Sequence, residues 1–226
     1  RVSKLVMRQA EAINRATEGP FRDVYLSNEE MNELRMAAWL HDIGKIGVRE
    51  YVLDKVNKLS DDRIALIASR FDLMRSEAVG KAAERKLALL VGGTYSAEKA
   101  AEIDRETAAE TERITEDLAL VIKLNRPGPF GPDEAERLTA AAARTYRDGE
   151  GIEHPCLDPD DLEHLLVARG NLTDSERGEI QSHVRHTLNI LEKIPFTQEL
   201  INIPRFAATH HEMLDGSGYP GNLRAE

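Results

Sequence analysis

Hydrophobic and polar residues follow one another along most of the chain with the period of amphipathic helices. Apolar residues recur at intervals of three and four, as at Ile103, Ile114 and Leu118, and this spacing places them on one face of a helix. Alternating β-branched and polar residues, the pattern of a half-buried strand, are hard to find. The pattern predicts an all-α fold, with helices over about residues 2–17, 61–91, 97–125, 133–147 and 174–193.

Start and stop signals delimit several of these helices. A Ser or Thr followed three residues later by Glu is a capping box, and the pattern occurs at Ser27 with Glu30 and at Thr173 with Glu176. The first box opens a helix for which Gly44 is the expected end. The second opens the helix predicted over 174–193, which Pro195 ends.

The middle of the chain differs from its two ends. Ser96 is expected to cap the helix that begins at residue 97, the Gly/Pro run 127–132 breaks the chain, and a Gly/Pro-bearing loop reaches Pro159. The stretch 71–160 is charged and helical, so we interpret it as an insertion. It interrupts one predicted domain over 1–226, whose core is formed by 1–70 and 161–226.

Composition limits the classes of protein that the chain can represent. It has 226 residues, 41% hydrophobic and 31% charged, which is typical of a soluble globular protein. Cys156 is the single cysteine, so no internal disulfide can form, and a reducing cytoplasmic location is expected. No signal peptide is visible, and no apolar run approaches the roughly 20 residues that a membrane-spanning helix needs. The net charge of −10 disfavours binding to duplex nucleic acid, and an anionic substrate would need metal ions or a few well-placed cations.

The first candidate for chemistry is the pair His41-Asp42, which stands at a predicted helix end before Lys45. Neighbours on a regular helix point about 100° apart, but a turning backbone lets both side chains converge on one ion. Imidazole and carboxylate together suit Fe, Mn, Zn or Ni better than Ca, and Asp42 has two oxygens that could bridge two ions. The alternative is that His41 complements the helix dipole and Asp42 is a cap.

Further histidines lie in the second half of the chain. His210 and His211 are adjacent, in a short helix predicted to begin at Pro204, and each could bind a different ion of a cluster or pack in the core. His183 and His186 share one helix face. His183 is a candidate ligand, whereas His186 is interpreted as a surface or packing residue.

Together these residues form a candidate ligand set of four imidazoles and one carboxylate: His41, Asp42, His183, His210 and His211. Two ions in such a set could activate a water between them for attack on a phosphorus atom. Lys45 could neutralise a phosphate oxygen in the transition state, or it could be an ordinary exposed lysine.

Two stretches of the chain resemble the signatures of HD-GYP domains, in the order of that family. They are His41–Gly47, which reads His-Asp-Ile-Gly-Lys-Ile-Gly, and His210–Pro220, which reads His-His-Glu-Met-Leu-Asp-Gly-Ser-Gly-Tyr-Pro. Glu179–Val184 resembles the middle histidine motif of the family. The stretch from Tyr51 to Arg75 resembles a subset of the family that carries a long helical insertion and often follows a sensory domain such as a GAF domain.

The resemblance implies an HD-superfamily helical bundle with a helical insertion, a site with two or three transition-metal ions (Fe or Mn), and hydrolysis of cyclic di-GMP to pGpG, sometimes to GMP. By position it implies that Asp42 bridges two ions and takes part in catalysis, and that Lys45 contacts a phosphate or handles a proton. The implied metal ligands are His41, Asp42, His183, His210 and His211. The residues implied to line the site or to meet partner proteins such as diguanylate cyclases are Asp215, Gly216, Gly218, Tyr219 and Pro220.

The chain departs from the family pattern at both ends. The family usually has a further aspartate beyond the Gly-Tyr-Pro loop, on a helix of the form Ala-Asp-x-x-x-Ala, and an arginine after it; the sequence ends at Glu226 before either. Some members also take a ligand from the first helix, at a position that would fall ahead of Arg1. We therefore expect that the C-terminal part of the domain, which completes the metal shell, is missing.

Three hypotheses for function remain open on the sequence alone. The first is a cyclic di-GMP phosphodiesterase. The second is a catalytically weak signalling module that senses cyclic di-GMP or binds a diguanylate cyclase, although the intact ligand set favours an enzyme. The third is an HD-type phosphohydrolase of another nucleotide, which the Gly-Tyr-Pro stretch disfavours. A sensory domain in the full-length protein and a homodimer are expected partners.

Overall fold

The computed structural model describes residues 1–224, and it is mostly helical, which confirms the prediction of an all-α fold. The helices are α1 (Val2–Asn14), α2 (Asn28–Leu40), α3 (Glu50–Leu53), α4 (Asp61–Val91), α5 (Ala97–Asn125), α6 (Pro132–Ala142), α7 (Pro159–Leu165), α8 (Asp174–Gln181), α9 (His183–Leu191) and α10 (Ile203–Ala208). Two 3-10 helices span Ile43–Gly47 and Gln198–Leu200. Two short strands, β1 (Thr145–Arg147) and β2 (Glu153–Pro155), form an antiparallel pair.

The predicted caps at the start of α2 and α5 are confirmed. The Ser27 hydroxyl accepts a hydrogen bond from the Glu30 backbone, and the Glu30 carboxylate accepts one from the Ser27 backbone, so the capping box is complete. Ser96 accepts a hydrogen bond from the backbone N–H of Lys99 and opens α5 at the predicted residue. These helices begin where local sequence supplies partners for their unpaired N–H groups.

The helix predicted over 133–147 is wrong in its last third. The helix ends at Ala142. Residues Thr145–Arg147 form β1 instead, and they pair with β2 (Glu153–Pro155), which lies in the predicted loop. Asp148 explains the reversal, because its carboxylate accepts hydrogen bonds from the backbone N–H groups of Glu150 and Ile152. This turn holds the two strands in register.

Two other predicted helices end elsewhere. The helix predicted over 174–193 is interrupted at Ser182 and continues as α9 to Leu191. The short helix that begins near Pro204 ends at Ala208, so His210 and His211 lie in the turn that follows it. Both interruptions fall beside histidines of the candidate ligand set.

The chain divides into two compact units. One contains Arg1–Asp54 and the residues from Asp174 onward, and the other contains Lys55–Thr173. The division predicted from the sequence, with an insertion over 71–160 between 1–70 and 161–226, stays a prediction. None of the helices in residues 1–224 combines the length and apolar character that crossing a bilayer requires.

Each unit has its own buried core. In the first unit, α10 packs on α2 and α9 around Ala37, Leu191, Ile203 and Ala207. In the second unit, α4 packs along α5, β1 packs on α4, and α7 packs on α5 and α6. Its core includes Ile67, Phe71, Ile114, Val121, Leu124, Leu138 and Leu165.

Candidate metal centre

Three chain segments of the first unit bring the candidate ligands together. His41 directly follows α2, and Asp42 precedes the 3-10 helix at Ile43. His183 is the first residue of α9, and His210 and His211 follow α10. The 3-10 helix and α10 both pack against α9, so the ends of these elements converge.

The four imidazole rings form one cluster around His210. The centre of its ring lies 4.2 Å from that of His211, 4.9 Å from that of His41 and 5.4 Å from that of His183. The rings of His183 and His211 are 5.3 Å apart. The structure therefore places every histidine of the predicted ligand set at one location.

Backbone carbonyls orient three of these rings. The Nδ1 atoms of His41, His183 and His210 lie 3.1, 2.5 and 2.6 Å from the carbonyl oxygens of the residues three positions earlier, which are Ala38, Ile180 and Ala207. A carbonyl oxygen only accepts hydrogen bonds, so Nδ1 carries the ring proton in each case. In the neutral form of each ring, Nε2 then carries the lone pair through which histidine binds a metal.

Asp42 lies where these Nε2 atoms converge. Its Oδ2 is 3.3 Å from His41 Nε2 and accepts a hydrogen bond of 2.8 Å from Lys45 Nζ. Its Oδ1 is 3.4 Å from His183 Nε2 and 3.9 Å from His210 Nε2. The two carboxylate oxygens thus face different histidines, as a carboxylate that bridges two ions would require.

The local electrostatics favour the metal-binding protonation states of Asp42, His210 and His211. Burial lowers the pKa of His210 to about 4, and it also lowers the pKa of His211, because both rings are partly withdrawn from water among other imidazoles. Burial raises the pKa of Asp42, but the hydrogen bond and the positive charge of Lys45 oppose it, and the pKa stays below its usual value. These shifts favour neutral rings at His210 and His211 and an ionised carboxylate at Asp42.

The donor set fits a transition-metal ion. His183, His210 and His211 each present a ring nitrogen, and these atoms lie within 4.8 Å of one another. Imidazole nitrogens with one carboxylate suit Fe, Mn, Zn or Ni, whereas Ca and Mg prefer oxygen ligands. The roles of the five residues as metal ligands stay a prediction.

The Gly-Tyr-Pro loop is held against this cluster. The Tyr219 ring stacks on His211 at 4.7 Å and 17°, and the Tyr219 backbone N–H donates to the His211 carbonyl oxygen at 3.2 Å. A Cβ atom at Gly218 would lie 2.5 Å from that same carbonyl oxygen, so only glycine fits there. Asp215 accepts hydrogen bonds from the backbone and hydroxyl of Ser217, and Gly216 has a φ of +78°, which favours glycine.

Two residues beside the cluster were missed by the sequence analysis. The Glu212 carboxylate accepts hydrogen bonds from the backbone N–H groups of Gly221 and Leu223 and so holds the far side of the loop. Thr187 is fully buried, one turn after His183 on the same helix face. The i, i+4 spacing from His183 is the one sequence signal that could have drawn attention to Thr187.

Comparisons with known proteins find HD domains in this chain. Two family models, each described as "HD domain", match residues 1–124 and 157–226. A stretch of 63 residues is 36% identical to the 3'3'-cGAMP-specific phosphodiesterase 3 of Vibrio cholerae serotype O1 (strain ATCC 39315 / El Tor Inaba N16961). That stretch covers 27% of this chain and 13% of the Vibrio protein. No solved structure gives a significant match.

Proposed function

Since this chain belongs to the HD domain family, with one family model covering more than half of it, we propose that it is a metal-dependent phosphodiesterase of the HD-GYP type that opens cyclic di-GMP. The observation that carries the proposal is the convergence of the His41, His183 and His210 rings on the Asp42 carboxylate, with the His211 ring beside them. An HD-type phosphohydrolase is the broader activity that the family matches support.

The metal ligands in this proposal are His41, Asp42, His183, His210 and His211. Bound transition-metal ions would supply Lewis acidity toward a phosphodiester and a water of lowered pKa. The protein contributes fixed ring orientations, because the carbonyl partners of Nδ1 prevent the rings from turning away. Iron or manganese is the ion that we propose.

Lys45 is the proposed phosphate-binding residue. Its Nζ lies 2.8 Å from Asp42, and its side chain is half-exposed, so the ammonium group can reach a phosphate oxygen beside the cluster. A cation at this position favours the added negative charge of a phosphoryl transition state. The ion pair with Asp42 holds Lys45 in place before the substrate binds.

The loop with Gly218 and Tyr219 forms the proposed wall of the substrate site. Tyr219 presents an aromatic ring and a hydroxyl beside His211, and burial and the charge of Asp42 raise its pKa, so it stays a neutral hydrogen-bond donor at neutral pH. Aromatic faces stack on nucleobases, which suits a dinucleotide substrate. The same loop is the proposed contact with diguanylate cyclases.

A second substrate, 3'3'-cGAMP, is favoured by one finding. The Vibrio cholerae relative is named for that cyclic dinucleotide, and its similarity covers 63 residues of this chain. Cyclic di-GMP and 3'3'-cGAMP differ in one purine, so the same phosphodiester chemistry would open either ring. Selectivity between them would come from contacts to the bases.

The test measures hydrolysis of each cyclic dinucleotide by chromatography, with protein extended past Glu226, purified anaerobically and loaded with Fe²⁺ or Mn²⁺. We expect turnover of cyclic di-GMP to pGpG or GMP, loss of turnover and of bound metal in Asp42→Asn, and unchanged behaviour in a control, His154→Gln, which alters a histidine of the other unit. Faster opening of 3'3'-cGAMP would support the second substrate. Metal binding without turnover of either compound would contradict the enzyme and favour a sensing module.

A further inference from the structure

The hydroxyl of Thr187 joins α9 to the turn that carries Asp42. Thr187 Oγ1 donates a hydrogen bond of 3.0 Å to the carbonyl oxygen of His41, and it accepts one of 3.0 Å from the backbone N–H of Gly44. The residue is 0% exposed, so water cannot replace either bond. This hydroxyl bridges segments that are more than 140 positions apart in the sequence.

The two backbone groups that Thr187 binds lie on either side of Asp42. The His41 carbonyl is at the end of α2, where carbonyl groups lose their helical partners, and the Gly44 N–H lies inside the 3-10 helix. A hydroxyl has one proton and two lone pairs, so it can make both bonds at once. Thr187 therefore fixes the backbone before and after Asp42 with a single atom.

The backbones are also in close contact at this point. A Cβ atom at Gly44 would lie 2.0 Å from the His183 carbonyl oxygen and 2.3 Å from the Thr187 nitrogen. The turn therefore lies directly against the first turn of α9, which carries His183. This approach places Asp42 Oδ1 3.4 Å from His183 Nε2.

We propose that Thr187 is a positioning residue of the metal centre, whose hydroxyl holds the Asp42 carboxylate between the rings of His41 and His183. The inference rests on the metal centre of the proposed function, and it assigns to Thr187 a part of the metal affinity. Thr187 does not touch the substrate or the reacting atoms in this role. Its contribution is the orientation of a ligand, which in metal sites is typically worth about 10- to 100-fold in affinity.

Three substitutions separate the hydroxyl from simple packing. Thr187→Val keeps the shape and removes the hydroxyl, Thr187→Ser keeps the hydroxyl and removes a methyl group, and Thr187→Ala removes both. The Mn²⁺ affinity of each variant of the full chain is measured by calorimetric titration, with folding of the metal-free protein checked by circular dichroism. We expect Thr187→Ser to bind Mn²⁺ almost as tightly as wild type, and the Val and Ala variants to bind it about 10- to 100-fold more weakly.

A packing role predicts the opposite order, because Val would then match wild type while Ser and Ala would fall together. That result, or equal Mn²⁺ affinity in all four proteins, would overturn the inference and leave the metal centre intact. If the Val variant fails to fold, the Ser and Ala pair still decides, since these two differ only in the hydroxyl. Failure of folded wild-type protein to bind Mn²⁺ would instead overturn the metal centre itself.

Discussion

At the scale of single residues, Gly44 shows that a tertiary contact, rather than local backbone conformation, can require a particular amino acid. Gly44 was expected to end a helix, yet α2 ends at Leu40 and Gly44 lies within a 3-10 helix. Its need for glycine comes from the close approach of α9, since a Cβ atom would lie 2.0 Å from the His183 carbonyl oxygen. The sequence identified the correct residue for the wrong reason.

We expect Gly44→Ala to destabilise the protein by at least about 2 kcal/mol, because the added methyl group meets backbone that cannot move aside. Urea unfolding measures the change. The matched control is Gly80→Ala inside α4, where a Cβ atom has nothing within 4 Å, and this variant should gain about 0.5–1 kcal/mol from the helix preference of alanine. Equal stability of the two variants would contradict the close contact at Gly44.

Cys156 is expected to be unreactive in the folded protein. Burial raises the pKa of its thiol to about 11, its side chain is 0% exposed, and its Sγ–H donates to the carbonyl oxygen of Ala141. The reactive thiolate is therefore scarce below about pH 10 in the native state, whereas the unfolded thiol titrates near pH 8.5.

Labelling with Ellman's reagent at pH 8 measures this difference. The native protein should react far more slowly than the same protein in urea. Native labelling as fast as labelling in urea would show that the thiol is accessible.

At the scale of elements, buried ion pairs hold helices of the second unit together. Asp161 in α7 is 0% exposed and pairs with Arg63 and Arg70 of α4 at 2.5 and 3.7 Å. The pairs fix α7 against α4 at the edge of the core that contains Phe71 and Leu165. Loss of the Asp161 charge would leave the two arginines with Asp158 as their remaining carboxylate partner and would remove the acceptor at the buried end of the network.

We therefore expect Asp161→Asn to lower the free energy of unfolding by about 2 kcal/mol. The comparison is Asp104→Asn, which breaks an exposed pair with Lys86 and should change stability by less than about 1 kcal/mol. Urea titrations of both variants measure the difference. A change below about 1 kcal/mol in Asp161→Asn would mean that Asp158 alone compensates the two arginines.

The helix ends that could be predicted from the sequence are those fixed by contacts between residues close together in the chain. The starts of α2 and α5 were predicted because Ser27 and Ser96 bond to N–H groups three residues away. The strand pair was missed because each strand has three residues, too few for a period of two to be visible. The interruption at Ser182 was missed because apolar positions continue with helical spacing on both sides of it.

At the scale of the whole molecule, the candidate metal ligands all belong to one of the two compact units. His41 and Asp42 lie in its first segment, and His183, His210 and His211 lie in its second. The sequence could name these residues because adjacent histidines and a resemblance to known signatures mark them. The sequence could not show that Thr187 bonds to His41 and Gly44, because these residues lie in a distant segment and no motif singles out a threonine.

Metal removal is expected to affect the two units differently. A ligand that binds only the folded state stabilises what it binds, by about 2.7 kcal/mol at a free concentration 100 times its dissociation constant. Chelation should therefore speed amide hydrogen exchange by about 100-fold in α9 and in the 3-10 helix at Ile43–Gly47. Exchange in α4 and α5 should stay unchanged. No acceleration in α9 and the 3-10 helix would place the ion outside the proposed ligands, and equal acceleration in all four helices would mean that the two units unfold together.

The hydrogen bonds from histidine Nδ1 to carbonyl oxygens three residues earlier have a kinetic consequence. Each ring is aimed by its own stretch of chain, at Ala38, Ile180 and Ala207, so its orientation is set before an ion arrives. Little conformational entropy then remains to be lost on capture. The cluster should behave as a rigid chelator, in which the exchange of water from the incoming ion, rather than rearrangement of the chain, limits the rate of loading.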